Sequence, residues 1–485
     1  MPINDFLFHP LSWQPDPKSL ARPRYLSLAA KLAHDIESSA LPPGLCLPPQ
    51  RELADWLDIN FTTVTRAYDI CRERGLVYGV TGRGTFVSPL PGKAEDGCVE
   101  AIDLGAVQGF PELGAGILMK TARDIISRDY TRHLFSYSDR NGAERHRAAG
   151  AFWISRLGAE VQAEETVVFP GVHSALVAIM LAFFEIGDAL AVDEFTYGNL
   201  IGAARLAHVR LVPVEGDGEG MLPEALEEAA ERDRVKGVFL MPTCANPTTV
   251  TMSKERKDAL SAVIGELGIF VLEDDAALEA DGSGTFFGRL REQTFHLTGA
   301  TRFLAPGLRI AFVASPRRHM KRLLNAHHRL TIKASALDTE IMSELILSGR
   351  AQKLIDEKIK RAKIMNGVFR KIFPKERRNS KDTPFFRTLA LPRTRLSGPE
   401  IERKLLLSGV RVCHSSRFAA SKNPSRSFLR LSLSSVQKKK ELENALRIVK
   451  NAVVTSPSNP DFTTNAKNQT SPRFFSRLGD SPLAT

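Results

Sequence analysis

The chain has 485 residues, of which 43% are hydrophobic, 25% charged and 7% aromatic. Values so close to the globular average exclude a wholly disordered, fibrous or membrane protein, and roughly 150 residues per domain predicts two or three domains. The longest apolar run, Ala175 to Phe184, falls far short of the roughly twenty residues that a membrane-spanning helix needs. The formal net charge of +11 suits a polyanionic partner without naming one. From Arg22 to Arg83 there are eight Lys/Arg against seven Asp/Glu, whereas from Arg317 to Lys381 there are eighteen against six. Net charge therefore points away from the N-terminal end. The opening residues show no secretory signal, and Cys46, Cys71, Cys98, Cys244 and Cys413 are scattered and never spaced as C-x-x-C. Both features predict a cytoplasmic chain without a disulfide framework or a metal site.

Tyr25 to Ser38 predicts an amphipathic helix with Leu28, Leu32 and Ile36 on one face, closed by the turn LPPGLCLPP. A second helix is expected near Pro49, where PPQRELADWL supplies proline at a tolerated first-turn position with acidic residues close behind. A third helix runs through Thr63, Val64, Thr65, Arg66, Tyr68 and Cys71 to Arg74, capped by Thr62 or a neighbour and stopped by Gly75. Two short helices joined by a tight turn, the second opening on hydroxyl and then basic residues, suit entry into a DNA major groove. GLVYGVTGRGTFVS then reads as a hairpin whose tip, Thr81-Gly82-Arg83-Gly84, offers an arginine to phosphates or a minor groove.

From PRYLSLAAKLAHDIES to YGVTGRGTFV, this block resembles the winged helix-turn-helix of the GntR family of bacterial transcription regulators. The resemblance implies that Arg51 touches the DNA backbone, that Asn60, Phe61, Thr62, Thr63, Thr65 and Arg66 lie along the groove end of the recognition helix, and that Gly82, Arg83 and Gly84 form the wing. Phe61 stands where many members carry arginine, and can pack on a thymine methyl instead.

PLPGKAEDGCVE, Pro89 to Glu100, is Pro- and Gly-rich and predicts a linker. Beyond it, apolar runs such as VKGVFLMP, LGIFVLEDD and RIAFVASP alternate with helical stretches, which predicts an α/β domain with a largely parallel sheet. The expected layout is a DNA-binding domain over 20–88, a linker over 89–100, an α/β domain over 101–453 whose smaller α+β subdomain starts at about 330, and a disordered tail from 454.

The α/β region resembles fold-type I pyridoxal-phosphate enzymes of the aspartate aminotransferase kind, and the two regions together resemble the MocR subgroup of the GntR family. In FSYSDRNG, Tyr137 resembles the tyrosine that reaches a neighbouring subunit's phosphate site. In FPGVHSALVAIM, the N–H groups of Gly171, Val172 and His173 correspond to a phosphate cradle at a helix start. Tyr197 in DEFTYGN takes the place of the tyrosine that stacks on the pyridine ring. Asn246 in CANPTT takes that of the asparagine that bonds the 3-hydroxyl, with Thr249 replacing a usual glycine. Asp274 in VLEDDAALE corresponds to the partner of the ring nitrogen, and Ala276 stands where the family has a second tyrosine.

HLTGATRFLAPGLRIAFVASP aligns without a gap on the family's SFSKTLAPGLRLGY pattern, and Arg302 falls at the Schiff-base lysine. A guanidinium stays protonated at cellular pH and cannot attack an aldehyde, so no covalent aldimine is expected there. Lys254, Lys257 and Lys321 are placed on flanking helices. Arg309 follows Arg302 as the family's phosphate-pairing arginine follows its lysine, and Arg430 in SFLRLSLS matches the arginine that grips a substrate carboxylate.

The resemblance thus implies a DNA-binding transcription regulator that binds a double-stranded operator as a homodimer. Its aminotransferase-like domain would sense a small anionic or pyridoxal-phosphate-related effector without catalysis. Two other readings stay open: an active aminotransferase with an appended DNA-binding domain, and a repressor whose large domain is purely structural.

Overall fold

The computed structural model describes residues 11–38, 40–88, 101–129, 134–137, 141–275, 282–298, 304–377, 385–392 and 396–454. Ala276, Arg302, the 89–100 segment and the tail from Thr455 lie outside the described residues. The chain divides into two compact units, Met1–Cys98 and Val99–Thr485.

In the first unit α1 (Arg24–Glu37), α2 (Gln50–Leu57) and α3 (Phe61–Glu73) precede the hairpin of β1 (Val77–Val80) and β2 (Gly84–Val87). Leu28, Leu32, Ile36, Leu53, Leu57, Val64 and Tyr68 close one core. The helical spacing of these apolar residues is what made the three helices readable. Pro49 stands just ahead of α2 as its cap, not in the first turn. Two contributors had no sequence signal. Trp13 fills the core and donates to Asp35 Oδ2 at 3.0 Å. The Gly44 and Leu47 N–H groups donate to the Val87 and Thr85 carbonyls, so the predicted turn also edges the hairpin.

The second unit begins with β3 (Ile102–Asp103), α4 (Ala115–Ile126), α5 (Glu144–Ser155), β4 (Thr166–Phe169), α6 (Val172–Phe183), β5 (Ala189–Asp193), α7 (Gly198–Leu206) and β6 (Arg210–Val214). It continues through β7 (Gly216–Asp217), β8 (Gly220–Met221), α8 (Pro223–Asp233), β9 (Val235–Leu240), α9 (Lys254–Leu267), β10 (Phe270–Asp275), α10 (Phe286–Arg289), β11 (Thr294–Thr298) and β12 (Ala311–Ala314). Strands β4-β12-β11-β10-β9-β5-β6 form a seven-stranded sheet in that order, and β12 runs antiparallel to both neighbours. Helices cover both faces, so β4, β11 and β12 are buried at every residue; β4 and β12 read as largely apolar runs, while β11, TFHLT, keeps its alternation and buries Thr294, His296 and Thr298 as well.

The helices Arg317–Thr331, Ala336–Leu347 and Arg350–Ile372 lead to a smaller lobe. There β13 (Phe386–Ala390), β15 (Cys413–His414) and β16 (Phe428–Ser432) form an antiparallel sheet in the order β13-β16-β15. The lobe is not purely C-terminal. Ile102 and Asp103 pair in parallel with Val410 and Arg411 of β14 (Val410–Arg411), and Leu104 and Phe110 share a core with Phe369, Leu405 and Leu431. A two-residue strand has no period to read, so the chain's crossing back to this lobe was not visible in advance.

Candidate DNA-binding head and ligand pocket

The Asn60 side chain caps α3: its Oδ1 accepts from Thr62 N at 2.8 Å and from Thr62 Oγ1 at 2.7 Å. Thr62 is exposed and Thr63 half-buried beside it. Thr65 Oγ1 lies 2.8 Å from Gln50 Oε1 and 3.1 Å from the Phe61 carbonyl, so this hydroxyl ties α3 to α2. Phe61 is 43% exposed, and the Arg51 guanidinium sits 5.9 Å from its ring centroid. Arg66 lies over the Tyr25 ring at 5.2 Å. At the hairpin tip Gly82 and Gly84 adopt φ of 76° and 118°, a region that favours glycine, and Arg83 between them is exposed. A Cβ on Gly84 would also come within 3.1 Å of Cys46 Sγ.

In the second unit the candidate ligand residues gather where parallel strands end, the usual place for a site in such sheets. Gly171 follows β4 at φ 88° and caps α6, whose first N–H groups have no acceptor within the helix. A Cβ on Gly171 would lie 2.9 Å from Arg309 Nη2, so glycine is what lets that guanidinium approach the helix start. Val172 is buried, and His173 holds a buried Nδ1 without a hydrogen-bond partner among the described residues. Arg309 itself adopts φ 52° just before β12 and is exposed.

A second group forms around Arg430. This side chain is 8% exposed, and its Nη1 donates to Asn246 Oδ1 at 2.9 Å. Its Nη2 donates to the Gly105 carbonyl and lies 3.6 Å from Cys413 Sγ, while Phe418 places its ring 4.8 Å from the guanidinium carbon. Burial pulls the Arg430 guanidinium down from its usual value, with Cys413, Tyr197 and Asp103 acting against it. Tyr197 packs on the large core and its hydroxyl accepts from Asn199 Nδ2 at 2.9 Å. Sequence reasoning found Arg430, Asn246 and Tyr197 but not Gly105, Cys413 or Phe418; Cys413 lies opposite Arg430 across β15 and β16, and Gly105 follows the β3 segment that pairs with β14.

Asp274 is fully buried on β10, in register with Leu297. Strand alternation turns its neighbours Glu273 and Asp275 to the opposite face. There Glu273 accepts from Phe286 N, Phe287 N and His296 Nδ1, at 2.8, 3.0 and 2.9 Å. Burial opposes both charges, yet the pair prevails: the Glu273 carboxyl is held below its usual range and the His296 imidazole above. These contacts brace the strand that carries Asp274.

Tyr137 stands apart, 88% exposed, with Lys333 Nζ 5.9 Å from its ring centroid. Lys254 and Lys257 lie on α9 and Lys321 on the helix Arg317–Thr331. Lys257 is buried and committed to Ser283 Oγ and the Gly284 carbonyl. No helix among the described residues is long and apolar enough to cross a membrane.

Two family models match the chain. The model of bacterial regulatory proteins, gntR family, covers residues 24–87, and that of aminotransferase class I and II covers residues 113–449. The HTH-type transcriptional regulator YdeF of Bacillus subtilis is 31% identical over 457 residues, spanning 93% of this chain and 98% of that one. The chain is a GntR-family regulator of the MocR type. The vitamin B6 salvage pathway transcriptional repressor PtsJ of Salmonella typhimurium is 31% identical over 278 residues, 56% of this chain and 62% of that protein. The crystal structure of an archaeal alanine:glyoxylate aminotransferase superposes with a TM-score of 0.68 at 22% identity, over 74% of this chain and 92% of that one, a likeness of fold alone. The head of this GntR-type regulator is thus a DNA-binding module, and its larger unit has the fold that holds pyridoxal phosphate in enzymes.

Proposed function

We propose that this regulator binds a double-stranded operator as a homodimer, and that its aminotransferase-like unit receives a small anionic or pyridoxal-phosphate-related ligand without transaminating it. What supports the reading is the motif resemblance that puts Arg302 at the family's Schiff-base lysine, together with the similarity to a regulator over almost the whole chain. The other residues fit the phosphate and ring of the cofactor. The α6 N-terminus and Arg309 would hold the phosphate, in a cradle that a Cβ on Gly171 would fill. Tyr197 would lie along the ring and Asp274 would meet its nitrogen. Asn246, whose oxygen is taken by Arg430, would offer its amide N–H to the 3-hydroxyl. When bound, the cofactor supplies an aldehyde and an electron-withdrawing ring. By the resemblance, Arg302 would keep the lysine's positive charge, but a guanidinium cannot be the nucleophile or the proton-transferring base. Arg430 remains as the grip for a carboxylate.

The decisive measurement is an absorbance scan of the full chain with added pyridoxal phosphate, before and after borohydride. No visible-edge band and no reduced adduct are expected, while a modest thermal shift from noncovalent binding is compatible. A pyridoxyl adduct mapped by peptide mass to any lysine of the pocket would revive the aminotransferase reading. The DNA arm is tested by footprinting on the host's own promoter fragments, where paired protected half-sites are expected.

A further inference from the structure

A cavity of about 880 Å³ lies between the carboxyl end of the large sheet and the smaller lobe. Its size falls at the upper end of ligand-holding pockets. It is separate from the cofactor-like cluster: Gly171, Tyr197, Asp274, Arg309 and Arg430 do not line it, although the 245–250 loop forms part of one wall. Five carboxylates line it, Asp193, Glu194, Glu215, Asp217 and Glu376, against two guanidiniums, Arg387 and Arg426.

Most of these charges are already spoken for. Asp217 is paired with Arg256 at 2.8 Å, and Glu194 accepts from Ser425 N and Oγ, each at 2.5 Å. Arg387 Nε donates to Asn366 Oδ1 at 2.6 Å, and Arg426 rests 5.6 Å from the ring centroids of both Phe195 and Phe428. Asp193, the last residue of β5, is different. Among the described residues its carboxylate has no hydrogen-bond or ion-pair partner, and the side chain is half-buried at the cavity wall. Burial pushes its carboxyl up to about 6 and raises Glu376 as well. A poorly solvated carboxylate without a counter-charge favours a cation over any neutral or anionic guest. Phe195, Phe428, Met241, Met252 and Val250 add an apolar wall.

We propose that this cavity is a second small-molecule site, for an organic amine with an apolar body, whose ammonium pairs with Asp193 while its body lies against Phe195 and Phe428. Such a site does not depend on the cofactor-like pocket.

The test is calorimetry on the full chain without added pyridoxal phosphate. The probes are 2-phenylethylamine, its uncharged counterpart 2-phenylethanol and its anionic counterpart 3-phenylpropanoate. The amine should bind at least about tenfold more tightly than either counterpart. Asp193→Asn should weaken the amine by about tenfold or more, and Glu215→Gln by less. Arg309→Ala, in the other pocket, should leave amine affinity within about twofold. Circular dichroism of each variant confirms folding. Equal affinity for amine and alcohol, no binding of the amine at millimolar concentration, or an unchanged affinity in a folded Asp193→Asn would each overturn the assignment. A loss caused by Arg309→Ala but not by Asp193→Asn would place the amine in the cofactor-like pocket instead.

Discussion

The two units hold their arginines in opposite ways. In the head Arg51 and Arg66 lean on aromatic faces and remain exposed, and Arg83 projects from a glycine-flanked tip. In the larger unit Arg430 is sunk among the Asn246 oxygen, the Gly105 carbonyl, Cys413 and Phe418. An exposed cation on a long stem gains by displacing counterions along a polyanion, and its neighbours share the work. A buried cation in a fixed cage has lost its side-chain freedom in advance, which suits one small anion of defined geometry. The contrast explains why the net charge of the head, nearly balanced, misleads about DNA. What matters is which cations are free to leave the surface.

The sharpest way to break this comparison is Arg430→Met. It leaves Asn246 Oδ1 and the Gly105 carbonyl without a donor in a buried setting, and should cost the larger unit about 2–4 kcal/mol in urea unfolding. Operator affinity of the full chain should stay within about twofold, since the head keeps every contact. A collapse of DNA binding in a folded Arg430→Met protein would show that the units are energetically coupled, and the contrast between them would fail.

Asp193 sharpens it from the other side, as a half-buried charge of the opposite sign with no cage. Its folded carboxyl titrates at about 6 against 3.8 for the unperturbed group. Below pH 4 both states hold the proton and nothing is lost. Between about pH 4 and 6 the unfolded chain gives up this proton while the folded one keeps it, so stability falls across that window and is level above it. Asp193→Asn removes that cost and should stabilise the larger unit by about 1–2 kcal/mol at pH 7.5, since the cavity side leaves the carboxylate partly solvated, the gain vanishing below about pH 4. An equal gain at both pH values would mean that packing, not charge, is responsible.

A third variant separates capping from recognition in the head. Asn60→Ala removes the acceptor for Thr62 N and should cost about 1 kcal/mol of head stability. Asn60→Asp keeps the cap and should hold its melting temperature, yet it places a carboxylate at the helix start proposed to face DNA and should weaken operator binding. Full affinity for Asn60→Asp would remove Asn60 from the interface.

These variants also mark how far the sequence could be read. The three head helices, the hairpin and the alternating strands were legible because apolar spacing and Gly or Asn boundaries are local signals. Arg430, Asn246 and Gly171 came from motif resemblance, and the Gly171–Arg309 approach gives that resemblance a steric reason. What stayed hidden is non-local: Trp13 donating to Asp35, Ile102 and Asp103 crossing to β14, and the Gly105 carbonyl reaching Arg430 across 325 positions of chain. Asn60 was read as a groove residue, while the folded head also spends its oxygen on the α3 cap, a double use that no residue type declares.

The smallest expected effect is the most specific to the comparison. Arg83 has no ion-pair partner among the described residues, and the hairpin turn that carries it is fixed by an Arg83 N–H bond to the Val80 carbonyl at 2.9 Å. Arg83→Ala should therefore leave the backbone of the tip and the melting temperature unchanged. If the guanidinium neutralises one phosphate, the plot of log affinity against log salt should flatten by about one unit, and affinity should drop most at low salt, similarly for all operator sequences. If instead the side chain reads a minor groove, the salt slope should change less and the loss should depend on the base pairs under the wing. A variant that matches the wild type in slope, affinity and sequence preference would show that the wing does not touch DNA, and recognition would then rest on α3 and Arg51.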